Sequence, residues 1–484
     1  MRVQPQSFFL LTYPFLFDPD SFEQRRTLVD AAAWITEKKS LTLWKGDTFG
    51  EEDLLPHVQR FLNPPPGVPA TVLAWNLTAD AMQSPEGLGT KASWKLCTPN
   101  RDIRFEIKAV KLLMFRVGVG FLSLQIRPVD DTEEEWLDLM HFSRYADRKN
   151  RVTIQLERKV GKDQVLPYFP PSAGGVSTHP EGKGTMMELV TGILSAGSLP
   201  DAERWWREVY VVGQFIPYAA FFADDMTDEA TEALLFRFRH YFGTQQMLRP
   251  APADRDPNHP SLFPYSEGQW FVFSLDGTAF VAVNPPSTPF MQVTMPHHLR
   301  DRYYLLFLMV LHQRFALMEL SERVATEWLN GDALQRAVAF GRIRDSLLEF
   351  TARGFFSQVM QTEHHHTIYR RWQETFQVEL LYHEVSDEVR EMHGALLLQR
   401  TEKLQELAEV QRLHDAAEEK QRQEQEKRME TWFGRLTFLL GGPALALTFV
   451  QTVAAVGFST TLIWFACALA LGSVAIAVRG RFKP

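Results

Sequence analysis

Apolar and polar positions follow three different periods along the chain. Over roughly the first 290 residues, short apolar runs alternate with polar ones and are broken by Pro, Gly and Asn, the pattern of strands and short helices. Residues 8–17 (FFLLTYPFLF) read as a strand and 21–38 as a helix. Short strands are expected at 41–44 and at 72–77, and the strongest β signal lies at 105–127. There Phe105, Ile107 and Ala109 alternate with charged neighbours, and Leu113, Phe115, Val117 and Val119 share one face, with Gly118 and Gly120 marking a turn or bulge. Helices are predicted at 132–145, 185–196 and 227–242; the first opens on Thr132 followed by Glu133, Glu134 and Glu135, a capping arrangement that also suits a helix N-terminus electrostatically. A buried strand region is expected at 209–222. Asp276-Gly277 between 270–275 and 278–283 is a two-residue hairpin signal.

From Met295 the strand pattern stops. Residues 297–328 read as one long helix whose apolar core, 303–311, is too short to cross a membrane before His312, Gln313 and Arg314 interrupt it, so it is expected to be buried. Helices at 333–352 and 355–376 come next. From 380 to 432 there is no Pro and a single Gly, Gly394, among good helix formers. Val389, Met392, Leu396, Leu397, Leu404, Leu407, Val410 and Leu413 recur at three- and four-residue steps, and 418–430 is charged nearly all round, a solvated helix face. Continued into the apolar stretch beyond Arg435, this stalk forms one rod of roughly 70 residues, on the order of 100 Å long.

The third regime is 436–478, which contains no Asp, Glu, Lys, Arg or His. At roughly 20 residues per crossing it is long enough for two membrane-spanning helices. The break falls at Gly457-Phe458-Ser459-Thr460, giving spans at 436–456 and 461–478. Lys427, Arg428 and Arg435 precede the pair and Arg479, Arg481 and Lys483 come after it, which puts both ends on the cytoplasmic side. The first span carries Thr437, Gly441, Ala444, Thr448, Gln451 and Ala455 on one stripe. That stripe either lines a pore or packs closely against a second helix. Leu440 and Leu447 lie off it and would form a hydrophobic gate only beside the pore.

Composition narrows the function. A formal net charge of −8 excludes a general nucleic-acid binder. Two cysteines, Cys97 and Cys467, rule out a disulfide framework or a cysteine metal cluster. The apolar N-terminal run is short, contains Pro14 and lacks a small-residue cleavage site, so it reads as a first strand and not a signal peptide. No nucleophile elbow, HExxH, paired-cysteine motif or complete Walker sequence is present, and no enzymatic activity is expected. The Gly-, Pro- and Ser-rich stretch 159–185 reads as a loop. Its GKGT ending departs from a phosphate loop, because Ser177 stands five residues before Gly182 and Gly184 comes directly after the lysine. His179 and Lys183 with nearby amides are a candidate contact set for an anionic ligand. His364, His365 and His366 fan out by about 100° each on a helix, so surface or hydrogen-bonded histidines are expected there and not a metal site.

The order of elements resembles the CorA metal-ion transporter superfamily. The residues carrying the resemblance are the stalk 380–432, the spans 436–456 and 461–478, the short loop 457–460, and the helical region 344–392. The pattern of strands and helices gives an α+β cytoplasmic domain (1–290), and the resemblance, which covers roughly 295–484, implies a helical region (295–378), a stalk helix (379–435), a transmembrane hairpin (436–478) and a cytoplasmic tail (479–484). It further implies a homo-oligomer, a pentamer in that family, in a bacterial-type inner membrane. Its first span would line a cation pore, with Gly457, Phe458, Ser459 and Thr460 at the entrance, and Mg²⁺ or another divalent cation would be the transported or regulatory ion. The family's Gly-Met-Asn signature is replaced here by Gly457-Phe458-Ser459, so magnesium selectivity is not implied. Divergent members include membrane effectors of type III CRISPR systems, which makes a nucleotide second messenger an implied trigger. A membrane-tethered sensor or scaffold without transport is the alternative.

Overall fold

Side chains along Phe8–Leu16 alternate between two faces of a sheet, and all nine positions are buried. Phe9, Leu11, Tyr13 and Phe15 enter one core, and Phe8, Leu10 and Leu16 enter another. A strand buried on both faces must lie inside a sheet covered on both sides. The computed structural model places it there. The structure describes the chain outside 36–39, 51–52, 84–87, 89–93, 146–151, 161–163, 169–182, 196–203, 210–212, 257–258, 329–332, 457–461 and 468–484.

Among the described residues the main path of the sheet runs Gln164–Tyr168, Thr153–Val160, Trp94–Cys97, Asp102–Phe115, Val119–Pro128, Phe8–Leu16, Ile216–Asp224, Gly277–Val283, Gln269–Ser274 and Leu262–Ser266. Neighbours along this path pair antiparallel, except Ile216–Asp224 with Gly277–Val283, which run parallel. The sheet is therefore mixed. Helices Glu133–Ser143, Met186–Leu194 and Asp228–His240 contribute Trp136, Val190 and Leu234 to one core. Helices Tyr304–Arg323 and Glu363–Thr375 contribute Phe307, Leu311 and Trp372 to the other. An α+β region followed by long helices is thus the observed architecture.

Several local expectations hold at atomic detail. Thr132 Oγ1 accepts from the Glu135 amide, and Thr185 with Glu188 forms a complete capping box ahead of Met186–Leu194. The 105–127 signal resolves into Asp102–Phe115 and Val119–Pro128 around a turn at Gly118, whose φ of +92° suits glycine. Gly120 is required by packing instead, since a Cβ there would lie 2.2 Å from the Phe15 ring.

Other expectations are corrected. The helix expected over 21–38 ends at Asp30, and Ala33–Ile35 pairs with Ser40–Thr42. Strand pairing that buries Trp34 outweighs the helix propensity of Ala31-Ala32-Ala33. The 159–185 loop is partly strand: Val160 pairs with Gln164, and Lys183–Gly184 pairs with Ile154 and Gln155. The strand expected over 209–222 begins at Ile216, and Leu262–Ser266 is a further strand, one that the sequence pattern did not predict. Residues 355–362 are not helical, because Leu55 N donates to Val359 O and Gln361 N donates to Asp53 O, holding that segment against Asp53–Leu55. The long helix of 297–328 is buried as expected over Tyr304–Leu311, but it is punctuated by π-helical turns at Leu299–Tyr303 and Val324–Trp328.

One helix runs over Val378–Val456. The chain divides into two compact units, Met1–His393 and Gly394–Pro484. Within the first, Val378, Val385 and Met392 are buried. Within the second, Leu397, Leu404, Leu407, Val410 and Leu413 are 52–66% exposed. Backbone helix covers the predicted first span and 462–467 of the second, while most side chains of 438–456 lie outside the described residues. Among the described residues, no helix is long and apolar enough to cross a membrane.

Candidate functional site

The sequence-predicted stripe falls on helical backbone throughout, so its six positions share a face. Thr437, Thr448, Gln451 and Ala455 are exposed, Gly441 is partly exposed, and the Ala444 side chain lies outside the described residues. Thr437 Oγ1 donates to Phe433 O at 2.8 Å, so the helix itself satisfies this hydroxyl. The entrance loop Gly457, Phe458, Ser459 and Thr460, and the ligand candidate His179, lie outside the described residues. The other ligand candidate, Lys183, is held by its backbone in a strand and not in a loop.

The histidine run departs from expectation at its centre. His365 shares a helix face with Ile368 and Trp372, and that face is buried, so the imidazole is only 5% exposed and neither ring nitrogen is hydrogen-bonded. It stands 4.6 Å from the Tyr303 ring, and burial, the largest influence, pushes its pKa down to about 4. His364 lies beside Tyr265. Among the described residues no group of three His, Cys, Asp or Glu is arranged to hold a metal ion.

The residues that do converge come from a segment that reads only as buried helix. The π-helical turn Leu299–Tyr303 admits one extra residue per turn and brings Arg300, Asp301 and Arg302 together at one cleft of about 590 Å³. Most of its charges are engaged. Arg302 pairs with Asp53. His297 Nε2 lies 3.2 Å from Asp301, and Lys111 Nζ lies 3.7 Å from Asp47. Arg300 differs: its guanidinium carbon stands 4.7 Å from the Phe8 ring centroid, and its buried Nε has no hydrogen-bond partner. Among the described residues it has no carboxylate partner either. Leu113, Leu305, Leu308 and Met360, from the core beneath, form an apolar part of a lining that is otherwise largely polar.

A second cleft, of about 730 Å³, lies between the Trp205–Trp206 segment and the helices Tyr304–Arg323 and Ala333–Arg353. Its cations are already committed. Arg207 and Arg323 both pair with the buried Glu319, Arg342 Nη2 lies 3.3 Å from Glu327, and Arg204 Nη1 lies 3.5 Å from Glu208. Ion pairs close this cleft electrostatically. The first cleft keeps one guanidinium in reserve.

Sequence reasoning missed this site. The available signal was the charged triplet Arg300-Asp301-Arg302 set against the apolar run 303–311, where three consecutive charges border a helix that must be buried. No family model matches the chain, and no curated protein or solved structure matches it.

Proposed function

We propose that this chain is a self-assembling membrane protein of CorA-like architecture that conducts cations, with residues 1–393 acting as its ligand-sensing unit. The observation that carries the reading is the exposure of apolar side chains around the helix beyond His393. At about 100° per residue, Leu404 lies about 20° from Leu397, Leu407 about 80°, Val410 about 140° and Leu413 about 200°, all in the same sense. One partner helix covers a single stripe. Apolar positions spread this widely call for neighbours on two sides, as each subunit has in a closed ring. Trp432 and Phe433, 56% and 54% exposed and next to Arg435, sit where the sequence turns from charged to apolar, a position suited to a membrane interface.

In this reading the spans are 436–456 and 461–478, and the Thr448–Gln451 stripe faces the ring axis. The ion is a cation whose identity does not follow from the family signature, since Gly457-Phe458-Ser459 replaces it. A second reading, a ligand-triggered effector that opens the membrane only on demand, is favoured by the cleft with its unpaired guanidinium.

Ion flux into liposomes carrying the purified protein tests both readings, with Mg²⁺, Ni²⁺, Zn²⁺, K⁺ and Na⁺ offered with and without nucleotides. Flux that Gln451→Leu or Thr448→Val reduces supports a pore through the stripe. Flux only with added ligand selects the effector. An assembled oligomer that passes no ion under any of these conditions sinks the channel and leaves an anchor.

A further inference from the structure

We infer that the cleft beside Leu299–Tyr303 binds a small organic oxyanion, one carboxylate or phosphate carried on an apolar body. The inference gives the proposed sensing unit its ligand chemistry, but it concerns binding alone and does not depend on transport.

Three features set the ligand class. The first is charge. Lys111, Arg302 and His297 already face Asp47, Asp53 and Asp301, so among the described residues of the cleft the one uncommitted cation is Arg300. A guanidinium presents a rigid fork of donors that matches a carboxylate or phosphate edge to edge. Its Nε is buried with no acceptor, and its described contact is with the face of Phe8, which orients the group without supplying an acceptor. The second feature is the apolar wall. Half-buried Phe49 lines the cleft together with Leu113, Leu305, Leu308 and Met360 from the core beneath, and through it the cleft offers an apolar surface to the body of a ligand. The third is the pair of carboxylates on the rim. Asp47 and Asp301 hold Lys111 and His297, which leaves Arg300 as the cation to meet a ligand, so a single oxyanion fits better than a polyanion. A cavity of about 590 Å³ is within the range that encloses a ligand of this size.

Calorimetric titration of the full-length protein in lipid nanodiscs, corrected by titration into protein-free nanodiscs, separates head from body. The probes are 2-naphthoate, 2-naphthyl phosphate, the neutral isostere 2-naphthamide, and inorganic phosphate. One of the two aromatic anions should bind at least about ten-fold tighter than both 2-naphthamide and inorganic phosphate. Whichever anion wins identifies the head group. Arg300→Gln should remove that advantage, and Arg300→Lys, which keeps the charge and loses the fork, should retain part of it. Equal binding of 2-naphthamide and 2-naphthoate would overturn the inference on the unmodified protein, even if a variant failed to fold. So would inorganic phosphate binding as tightly as the aromatic anions, or folded Arg300→Gln protein binding them unchanged. None of these outcomes depends on ion flux, so a failed channel and a failed site remain distinguishable.

Discussion

The His312 imidazole lies nearly flat on the Phe115 ring, with centroids 4.0 Å apart, planes 21° from parallel and neither ring nitrogen hydrogen-bonded. A fully buried histidine held this way is a neutral aromatic side chain, and burial pushes its pKa down to about 3. The unfolded chain protonates the same group near pH 6.5, so below that pH the unfolded state binds more protons. Stability is therefore complete at neutral pH and is lost as pH falls from about 6.5 towards the folded value, at up to about 1.4 kcal/mol per unit. His365, at about 4, adds to the loss over much of the same window. His312→Phe should flatten the decline by about 2–3 kcal/mol between about pH 7.5 and 4.5, as read from denaturant unfolding at the two pH values. An unchanged slope would mean that His312 is accessible to protons in the folded state.

Beside it, Gln313 makes the opposite use of burial. Its Nε2 donates to Tyr369 Oη at 2.9 Å and Gly354 O at 3.2 Å, and its Oε1 accepts from Gln373 Nε2 at 2.9 Å. Tyr369 Oη in turn donates to Phe356 O at 2.9 Å. The network pins the non-helical segment after Gly354, whose far end pairs with the Asp53–Leu55 backbone near the candidate cleft. Gln313→Leu keeps the volume roughly constant but strands several buried groups, and should cost about 2–4 kcal/mol. Gln373→Leu should cost less, because the Gln373 Oε1 is already without a partner. Melting temperatures of the two variants provide the check, and a reversed order would contradict this network.

Strands with a clean period were legible, and the rest shows what hid the others. Phe8–Leu16 and Val72–Leu77 announce themselves by apolar content and the turns around them. Ala33–Ile35 was hidden by three alanines, since pairing with residues only a short loop away decides its state. Leu262–Ser266 was hidden by Pro264, tolerated on an outer strand of the path that, among the described residues, pairs only with Gln269–Ser274. The candidate cleft was the least legible feature. It depends on a π-helical turn, on Asp53 from a distant loop and on Lys111 from a central strand, and no local spacing joins these residues.

Assembly should run through two sides of the long helix. Leu404 and Val410 are 57% and 63% exposed and lie about 120° apart around it. A dimer seam occupies one stripe and would engage one of them, whereas a ring gives each helix a neighbour on either side and engages both. A glutamate at either position would set a desolvated charge into a contact repeated in every copy. Leu404→Glu and Val410→Glu should therefore each raise the protein concentration needed for assembly by roughly ten-fold or more, measured by light scattering or mass photometry in detergent. Neither should shift the unfolding of residues 1–393, whose cores contain neither side chain. Weakening by one substitution alone would assign a two-helix seam in place of a ring, and weakening by neither would leave these exposed positions to another partner.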